Sequence, residues 1–419
     1  MGGVADMDGE LQAGARGAEA GVAGGMAGAA GAAEAAGAGE ERPAEPVFQD
    51  ALFRQRRKHG KFRLVEPPRL ESVAVDTHAH VHLLADPALS FAQCAVHGVA
   101  FVCDVIDICE DEPDVFERFD GWLDEAAALE PAILGASRDF ALAGGDDLTH
   151  LPAGAAPEDF LPACARDTEG AVHGDGGPAD AEGAALPPVP HLRLAVGCHP
   201  HNASRFDEAA EERLRARLCD PRVCAVGEIG LDYHYDFSPR EVQREVFRRQ
   251  IRIAHESGLP VALHIREAHD EAFQILCEEG FPEGGTLLHC FDLDWRTLAP
   301  WIDAGCYVAL GGALTFARCE DTREAVTHVP LDRLLTETDS PYMTPEPMRG
   351  MPCGPSHVIF TAARMAEVLG CEPGPQRREL LDQLMVNARA LLDRAPTAWQ
   401  CRRFGAGAAV RPAAGEALS

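Results

Sequence analysis

The sequence contains no Cys-x-x-Cys pair among its fourteen cysteines, which removes the commonest zinc-ribbon and thioredoxin-like interpretations. Several cysteines, including Cys103, Cys224 and Cys306, lie inside apolar runs, where a thiol behaves as a small hydrophobic side chain. We therefore predict reduced, mostly buried thiols rather than a disulfide framework.

Long apolar runs and an amino-terminal targeting signal are also missing. The longest weakly apolar stretch, residues 20–33, is rich in Gly and Ala, and it is shorter than the roughly 20 residues that a membrane-spanning helix needs. The first residues include Asp6, Asp8 and Glu10 without a basic cluster, unlike secretory or mitochondrial signals. These features predict a cytoplasmic protein without membrane association, and nothing in the sequence implies an obligate protein partner.

Basic residues are scarce, since 37 Lys and Arg stand against 67 Asp and Glu and give a formal net charge of -30. Such a charge disfavours long, sequence-independent tracking along nucleic acid. It does not exclude a phosphate-bearing substrate, because bound divalent cations can reverse the sign of a small pocket. With 419 residues, 46% of them hydrophobic, the chain can bury a sizeable core.

Composition divides the chain into a folded domain and its flanks. Residues 1–45 are Gly, Ala and Glu with few large apolar side chains, and we predict a disordered tail. Residues 46–72 form a basic lead-in, predicted to be a solvated face, with a nucleic-acid contact as the alternative. The predicted barrel domain covers 73–394, and residues 395–419 are predicted to be a C-terminal tail.

From residue 73 onward, short β-branched runs alternate with longer amphipathic runs, which is typical of repeated βα units. The candidate strands are residues 73–77, 99–103, 192–197, 223–227, 260–263, 286–288, 307–310 and 333–336. Eight strands close an α/β (β/α)8 TIM-type barrel. Residues 137–190, with ten acidic residues against Arg138 and Arg166, are predicted to be a largely irregular acidic insertion between helix 2 and strand 3.

The helix after the fourth strand is well marked by its ends. Ser238 and Pro239 predict an N-cap followed by proline at the first helical position. Gly258 predicts the end of this helix.

Ligand-type side chains stand at the carboxyl ends of five predicted strands. They are His78 and His80 after the first strand, Glu228 after the fourth, His264 after the fifth, His289 after the sixth and Asp339 after the eighth. In a parallel barrel these ends converge on one face, where active sites lie. Four imidazoles and two carboxylates can hold two divalent ions, with one carboxylate bridging.

Five motifs surround these residues: Asp-Thr-His-Ala-His at 76–80, Gly-Glu-Ile-Gly-Leu-Asp-Tyr at 227–233, His-Ile-Arg at 264–266, His-Cys-Phe at 289–291 and Glu-Thr-Asp-Ser-Pro-Tyr at 337–342. Together they resemble the TatD family of the amidohydrolase-like superfamily. The resemblance covers about residues 73–394 apart from the acidic insertion. It implies that His78, His80, Glu228, His264, His289 and Asp339 bind two divalent ions (Mg, Mn or Zn), in a hydrolase typically tested as a deoxyribonuclease.

Two loops at the active face depart from the family pattern. The family often has Ser-Gly after His-Cys-Phe, whereas Asp292 and Leu293 follow here. After Arg349 and Gly350 the family usually has Arg-Asn-Glu-Pro, and residues 351–355 read Met-Pro-Cys-Gly-Pro. The predicted metal ligands are complete, whereas the departures bear on the choice of substrate.

Three functional hypotheses follow. The first is phosphodiester hydrolysis of DNA by metal-activated water, with Asp339 accepting the proton of that water and Arg266 pairing with a substrate phosphate. For Arg266 the alternative is a salt bridge to Glu337 or another acid at the barrel mouth. His199 and His201 after the third strand are candidates for substrate contact or for mere packing. The second hypothesis is hydrolysis of an ester, such as aminoacyl-tRNA, or of an amide at the same centre, and the third is a non-catalytic scaffold.

Overall fold

A computed structural model describes residues 47–111, 113–166 and 187–404. The predicted tail at 1–45 lies outside these residues, as do part of the acidic insertion and the end of the chain. No helix in the described ranges is long and apolar enough to cross a membrane.

The described residues contain eleven strands and eleven α-helices. The strands are β1 (Phe53–Arg56), β2 (Phe62–Val65), β3 (Ala74–Ala79), β4 (Val99–Asp107), β5 (Thr149–His150), β6 (His191–Gly197), β7 (Val223–Asp232), β8 (Val261–Arg266), β9 (Thr286–Leu288), β10 (Tyr307–Leu310) and β11 (Leu334–Thr336). The helices are α1 (Pro87–Val96), α2 (Val115–Leu142), α3 (Ala163–Arg166), α4 (Glu208–Arg217), α5 (Arg240–Ser257), α6 (His269–Glu279), α7 (Trp295–Asp303), α8 (Glu320–Val326), α9 (Val358–Val368), α10 (Pro375–Leu392) and α11 (Ala398–Phe404).

Eight parallel strands form the barrel, in the order β11-β10-β9-β8-β7-β6-β4-β3. Each is followed by a helix, which confirms the predicted (β/α)8 architecture. The two outer strands of this order meet through side chains: Thr77 Oγ1 donates to the carbonyl of Thr336 at 3.0 Å, and Thr336 Oγ1 donates to the carbonyl of Val75 at 2.7 Å. We call this contact between β3 and β11 the seam.

Four barrel strands run past their predicted carboxyl ends, including β3, which ends at Ala79, and β4, which ends at Asp107. β7 continues from the predicted end at residue 227 to Asp232, and β8 continues from residue 263 to Arg266. Their parallel pairing continues through these extensions, with Gly230 opposite His264 and Asp232 opposite Arg266. Polar residues near the barrel mouth can extend a strand when the neighbouring strand supplies the backbone partners.

Helix α5 shows one correction at its start and agreement at its end. The helix begins at Arg240 with Pro239 at the N-cap position, so Ser238 is not the cap. The hydroxyl of Ser238 instead donates to the carbonyl of His201 at 2.8 Å. Gly258 ends the helix with φ 71°, the left-handed conformation that glycine adopts without a steric cost.

The basic lead-in forms the antiparallel hairpin β1–β2, and Arg54 in it is buried rather than solvated. Its guanidinium pairs with both carboxylate oxygens of Asp50, at 2.8 and 2.6 Å. A bidentate partner offsets the cost of burying this charge. Arg57, Lys58 and Lys61 are exposed, as predicted for this segment.

Regular structure also occurs in the predicted acidic insertion and in the predicted C-terminal tail. Helix α2 runs to Leu142 and so includes the start of the predicted insertion, which lies between α2 and β6. Beyond residue 394, α11 packs on the domain, and the amide of Gln400 donates to the carbonyls of Leu218 (2.9 Å) and Val223 (3.0 Å). The described part of the predicted C-terminal tail is therefore anchored.

The described part of the insertion packs at the amino ends of the barrel strands. Cys164 Sγ donates to the carbonyl of Val96, which ends α1 just before β4, at 3.2 Å. Ser137 Oγ accepts from the amide of Ala51 at 2.9 Å. This face is opposite the carboxyl ends of the strands, where barrel active sites lie.

Replacing residues 167–186 with a short Gly/Ser linker is expected to leave metal content and catalytic rate unchanged, because both flanks of this segment lie on the opposite face. Elemental analysis and turnover of the variant beside the intact protein measure this. Phe160→Ala shows, by comparison, the effect of disturbing the packed part of the insertion. Phe160 is buried at 3% exposure, and its truncation is expected to cost about 3–5 kcal/mol of unfolding free energy. Loss of turnover in a folded linker variant would show that the segment reaches the active face.

Candidate metal centre

The first strand brings two histidines to the barrel mouth. His78 and His80 are two residues apart on extended chain, so their side chains point to the same side. His80 Nδ1 lies 2.8 Å from the carbonyl of Val105. A carbonyl accepts only from a protonated nitrogen, so Nδ1 carries the proton and Nε2 is left with a free lone pair facing the site.

Glu228 lies at the centre of the cluster, with a different set of imidazoles on each oxygen. Its Oε2 is 3.4 Å from His78 Nε2 and 3.9 Å from His80 Nε2. Its Oε1 is 2.7 Å from His264 Nδ1 and 2.8 Å from His289 Nε2. One carboxylate thus faces two pairs of nitrogen donors, which is the arrangement of a bridging ligand.

The backbone around Glu228 permits this close assembly because of a glycine. Gly230 has φ 149°, and a Cβ at this position would lie 1.9 Å from the carbonyl oxygen of His264. Any side chain at 230 would therefore push β8, with His264, away from β7. Glycine at this position allows Glu228 and His264 to meet.

Asp339 completes the cluster from the far side of the seam. Its amide donates to the carbonyl of His78 at 2.9 Å, and its Oδ1 lies 3.5 Å from His80 Nε2. Donor atoms of His78, His289 and Asp339 lie within 4.8 Å of one another. The structure therefore brings all six predicted ligands together at the carboxyl ends of the strands.

The electrostatics of the cluster favour positive charge beside Glu228. Burial raises the pKa of Glu228, but the imidazoles of His289, His199, His78 and His264 outweigh burial and hold that pKa well below its usual range. Burial lowers the pKa of His264, yet Glu228 and Asp232 raise it to about 9. An ionised carboxylate surrounded by nitrogen donors is what a divalent cation requires.

Buried nitrogen atoms without partners support the same conclusion. His78 is fully buried, and neither of its ring nitrogens has a hydrogen-bond partner among the described residues. Leaving a buried polar atom unsatisfied costs on the order of 1–3 kcal/mol. A cation held by His78, His80, Glu228 and Asp339 would give one ring nitrogen of His78 a partner. These residues therefore fit a metal ion.

The residues predicted to contact substrate lie around this cluster. His199 Nε2 is 3.8 Å from Glu228 Oε1, and His201 Nε2 is 2.9 Å from Asp232 Oδ2. The guanidinium carbon of Arg266 lies 4.8 Å from the ring centroid of Tyr235. Glu337, the alternative partner of Arg266, instead accepts from the amide of Cys290 at 2.6 Å.

Sequence reasoning gave no role to Asp232, although its carboxylate contacts two histidines of the site, His201 and His264. Its Oδ2 lies 2.9 Å from His201 Nε2 and 3.1 Å from His264 Nε2, and the side chain is fully buried. The signal was the two-residue period of a strand, which puts residues 228, 230 and 232 on one face. It was missed because the predicted strand ended at residue 227.

Comparison with known proteins agrees with this geometry. Residues 184–393 match the family model described as TatD related DNase. The chain is 39% identical over 177 residues to the uncharacterized metal-dependent hydrolase YabD of Bacillus subtilis, covering 42% of this chain and 69% of that protein. It is 31% identical over 208 residues to the 3'-5' ssDNA/RNA exonuclease TatD of Salmonella typhimurium, covering 49% and 79%.

A solved structure shows the same fold. The crystal structure of YJJV, a TatD homolog from Escherichia coli, superposes with a TM-score of 0.52 at 23% identity, over 77% of this chain and 98% of that one. The family match, the identity to the curated relatives and the cluster at the strand ends agree with one another. The chain belongs to the TatD family of metal-dependent hydrolases.

Proposed function

We propose that this protein hydrolyses phosphodiester bonds of nucleic acid at a centre of two divalent cations, Mg, Mn or Zn. The observation that carries the proposal is Glu228, whose two oxygens face separate pairs of imidazoles. His78, His80, Asp339 and Glu228 would hold one cation, and Glu228, His264 and His289 the other. A relative named as an ssDNA/RNA exonuclease supports nucleic acid as the substrate.

When bound, the cations would supply the Lewis acidity that makes a water nucleophilic at neutral pH and polarises the phosphoryl group. The protein's own residues then position and accept protons. Asp339 is the proton acceptor in this proposal, because its carboxylate lies at the mouth, only partly buried. Burial raises the pKa of Asp339, but the imidazoles of His80, His289 and His78 outweigh burial, so its pKa is lowered overall.

Arg266 is the proposed phosphate-binding residue. No carboxylate of the described residues lies within 4.0 Å of its guanidinium, so its donors remain available to a substrate anion. The stacking on Tyr235 holds the planar group in place. A guanidinium presents two parallel donors to a phosphate, which lysine cannot do.

We expect Arg266→Lys to lower kcat/KM on a phosphodiester substrate about tenfold, the effect of losing roughly 1.4 kcal/mol of transition-state stabilisation. Steady-state kinetics measure the effect on catalysis, and thermal unfolding measures the effect on stability. Arg333→Lys is the matched control, because Arg333 also stacks on a tyrosine, Tyr307 at 5.1 Å, but precedes β11 at its amino end. A loss of stability with unchanged kinetics would show that Arg266 only packs.

One observation favours the second candidate, hydrolysis of a carboxylic ester or an amide at the same centre. Asp292 stands after the sixth strand where the family often has serine, and it is partly buried near the mouth. Burial raises its pKa while Arg266 lowers it. An ionised Asp292 at the mouth would repel a polyanionic substrate although it forms no ion pair with Arg266, and a neutral ester would not suffer this repulsion.

A hydrolysis screen on the purified chain tests both proposals. The substrates are single-stranded DNA, RNA, an aminoacylated RNA and a small amide, each with added Mg, Mn or Zn and with excess chelator. We expect cleavage of DNA or RNA that chelator abolishes and metal restores. Cleavage of only the ester or amide would replace the first proposal with the second, and absence of bound metal by elemental analysis would favour a scaffold.

A further inference from the structure

A second cluster of metal-binding side chains lies at the carboxyl ends of β4 and β6, outside the six ligands described above. β4 ends at Asp107, Cys109 follows two residues later, and Cys198 directly follows β6. The strands are neighbours, with Asp107 opposite Gly197. The amide of Ile108 donates to the carbonyl of Gly197 at 2.8 Å and holds the two strand ends together.

The three side chains converge on one point. One carboxylate oxygen of Asp107 and the sulfur atoms of Cys109 and Cys198 all lie within 4.8 Å of one another. Cys109 is 7% exposed and Cys198 1% exposed. In tetrahedral coordination with Zn–S bonds near 2.3 Å, the donor atoms lie about 3.7 Å apart, so small side-chain rotations close the remaining gap.

The carboxylate is already oriented by hydrogen bonds. Asp107 Oδ1 accepts from the amide of Cys109 at 2.7 Å. Its Oδ2 accepts from the side-chain amide of Asn202 at 2.9 Å and from the backbone amide of His199 at 3.3 Å. Fixed carboxylates of this kind are typical of metal sites, where groups outside the ligand set hold the ligands in place.

We propose that Asp107, Cys109 and Cys198 bind a zinc ion, separate from the candidate hydrolytic centre. Two thiolates and one carboxylate are ligands that Zn²⁺ accepts, whereas Mg²⁺ prefers oxygen alone. Three protein ligands leave a fourth position for water.

The proposed ion would tie the loop after β4 to the loop after β6. The second loop carries His199, whose amide donates to Asp107 and whose imidazole faces Glu228. The zinc would thus fix the backbone that positions His199 at the mouth. The proposal does not depend on which bond the hydrolytic centre cleaves.

A second thiol pair provides an internal comparison. Cys103 and Cys224 are both buried, with their sulfur atoms 3.9 Å apart. They lie in β4 and β7 and are not among the three proposed ligands. Cys224→Ser is therefore the matched control, because it removes a buried thiol outside the proposed site.

The test is a Co²⁺ titration of the full chain, stripped of metal and kept reduced. Thiolate ligands give Co²⁺ an intense near-ultraviolet charge-transfer absorption, which the nitrogen and oxygen ligands of the hydrolytic centre cannot give. We expect this band in the unaltered protein and in Cys224→Ser, and its loss in Cys109→Ser and Cys198→Ser. Elemental analysis should give one ion fewer per chain in the latter two variants.

A second measurement uses the unaltered chain, so that the proposal can be tested even if the cysteine variants fail to fold. Zinc should slow alkylation of Cys109 and Cys198 by iodoacetamide at least tenfold, read by peptide mass spectrometry, and leave the rate at exposed Cys277 unchanged. The proposal is overturned if the band survives both substitutions or if zinc gives no protection.

Discussion

Glu228→Gln is expected to empty the candidate centre of metal and to lower kcat/KM by about 10³-fold or more. Each oxygen of Glu228 faces its own pair of imidazoles, so the amide would replace one ligand oxygen with a donor that cannot bind a cation. Losing even an outer partner of a metal ligand typically costs 10–100-fold, and here a shared ligand is lost. Elemental analysis and turnover at several metal concentrations measure the effect.

Glu130→Gln is the matched control for this substitution. Glu130 of α2 is 2% exposed, and burial raises its pKa to about 7. A carboxyl that burial keeps partly protonated at neutral pH tolerates replacement by the equally sized amide, so metal content and rate should stay at their original values. Retention of both ions in Glu228→Gln would show that Glu228 does not bridge them.

Asp339→Asn is expected to lower kcat by about 10²–10⁴-fold at saturating metal, the range that a general base contributes. Asparagine cannot accept the proton of the attacking water. The fold should be preserved, because Asp339 has φ 56° and asparagine is among the few residues that adopt this conformation readily. Single-turnover kinetics on the preferred substrate, with thermal unfolding beside it, separate chemistry from stability.

Asp236→Asn is the matched control, because it makes the same substitution at a positive φ outside the candidate centre. Asp236 also has a positive φ, 50°, but it is exposed and paired with Arg240 at 2.8 Å. Its substitution should leave kcat unaltered. Turnover close to the original rate in Asp339→Asn, with both ions bound, would assign proton removal to another group.

The barrel and the positions of the candidate ligands were predictable because both depend on local sequence. Parallel strands buried on both faces read as short β-branched runs, and residues just after such runs converge at the barrel mouth. His264 was therefore placed correctly although the predicted strand ended one residue before it. The end of α5 at Gly258 was predictable for the same reason, since a left-handed cap is a property of one residue.

The remaining features depend on partners distant in the sequence. Asp232 was missed because β7 is extended by its pairing with β8, from Gly230 opposite His264 to Asp232 opposite Arg266. The helix α11 was missed because its few residues are held by Gln400, which bonds to carbonyls 182 and 177 residues away. Neither interaction leaves a periodic pattern in its own segment.

The seam sets the order in which a growing chain can acquire activity. The bond from Thr336 to Val75 joins residues 261 positions apart, and the candidate ligands His78 and Asp339 stand on opposite sides of it. A ribosome releases the first strand long before the last, at about 5–20 residues per second. An unfinished chain that ends before Leu334 therefore holds five of the six candidate ligands without a closed mouth to position them. We therefore expect no hydrolysis before translation of the barrel is complete.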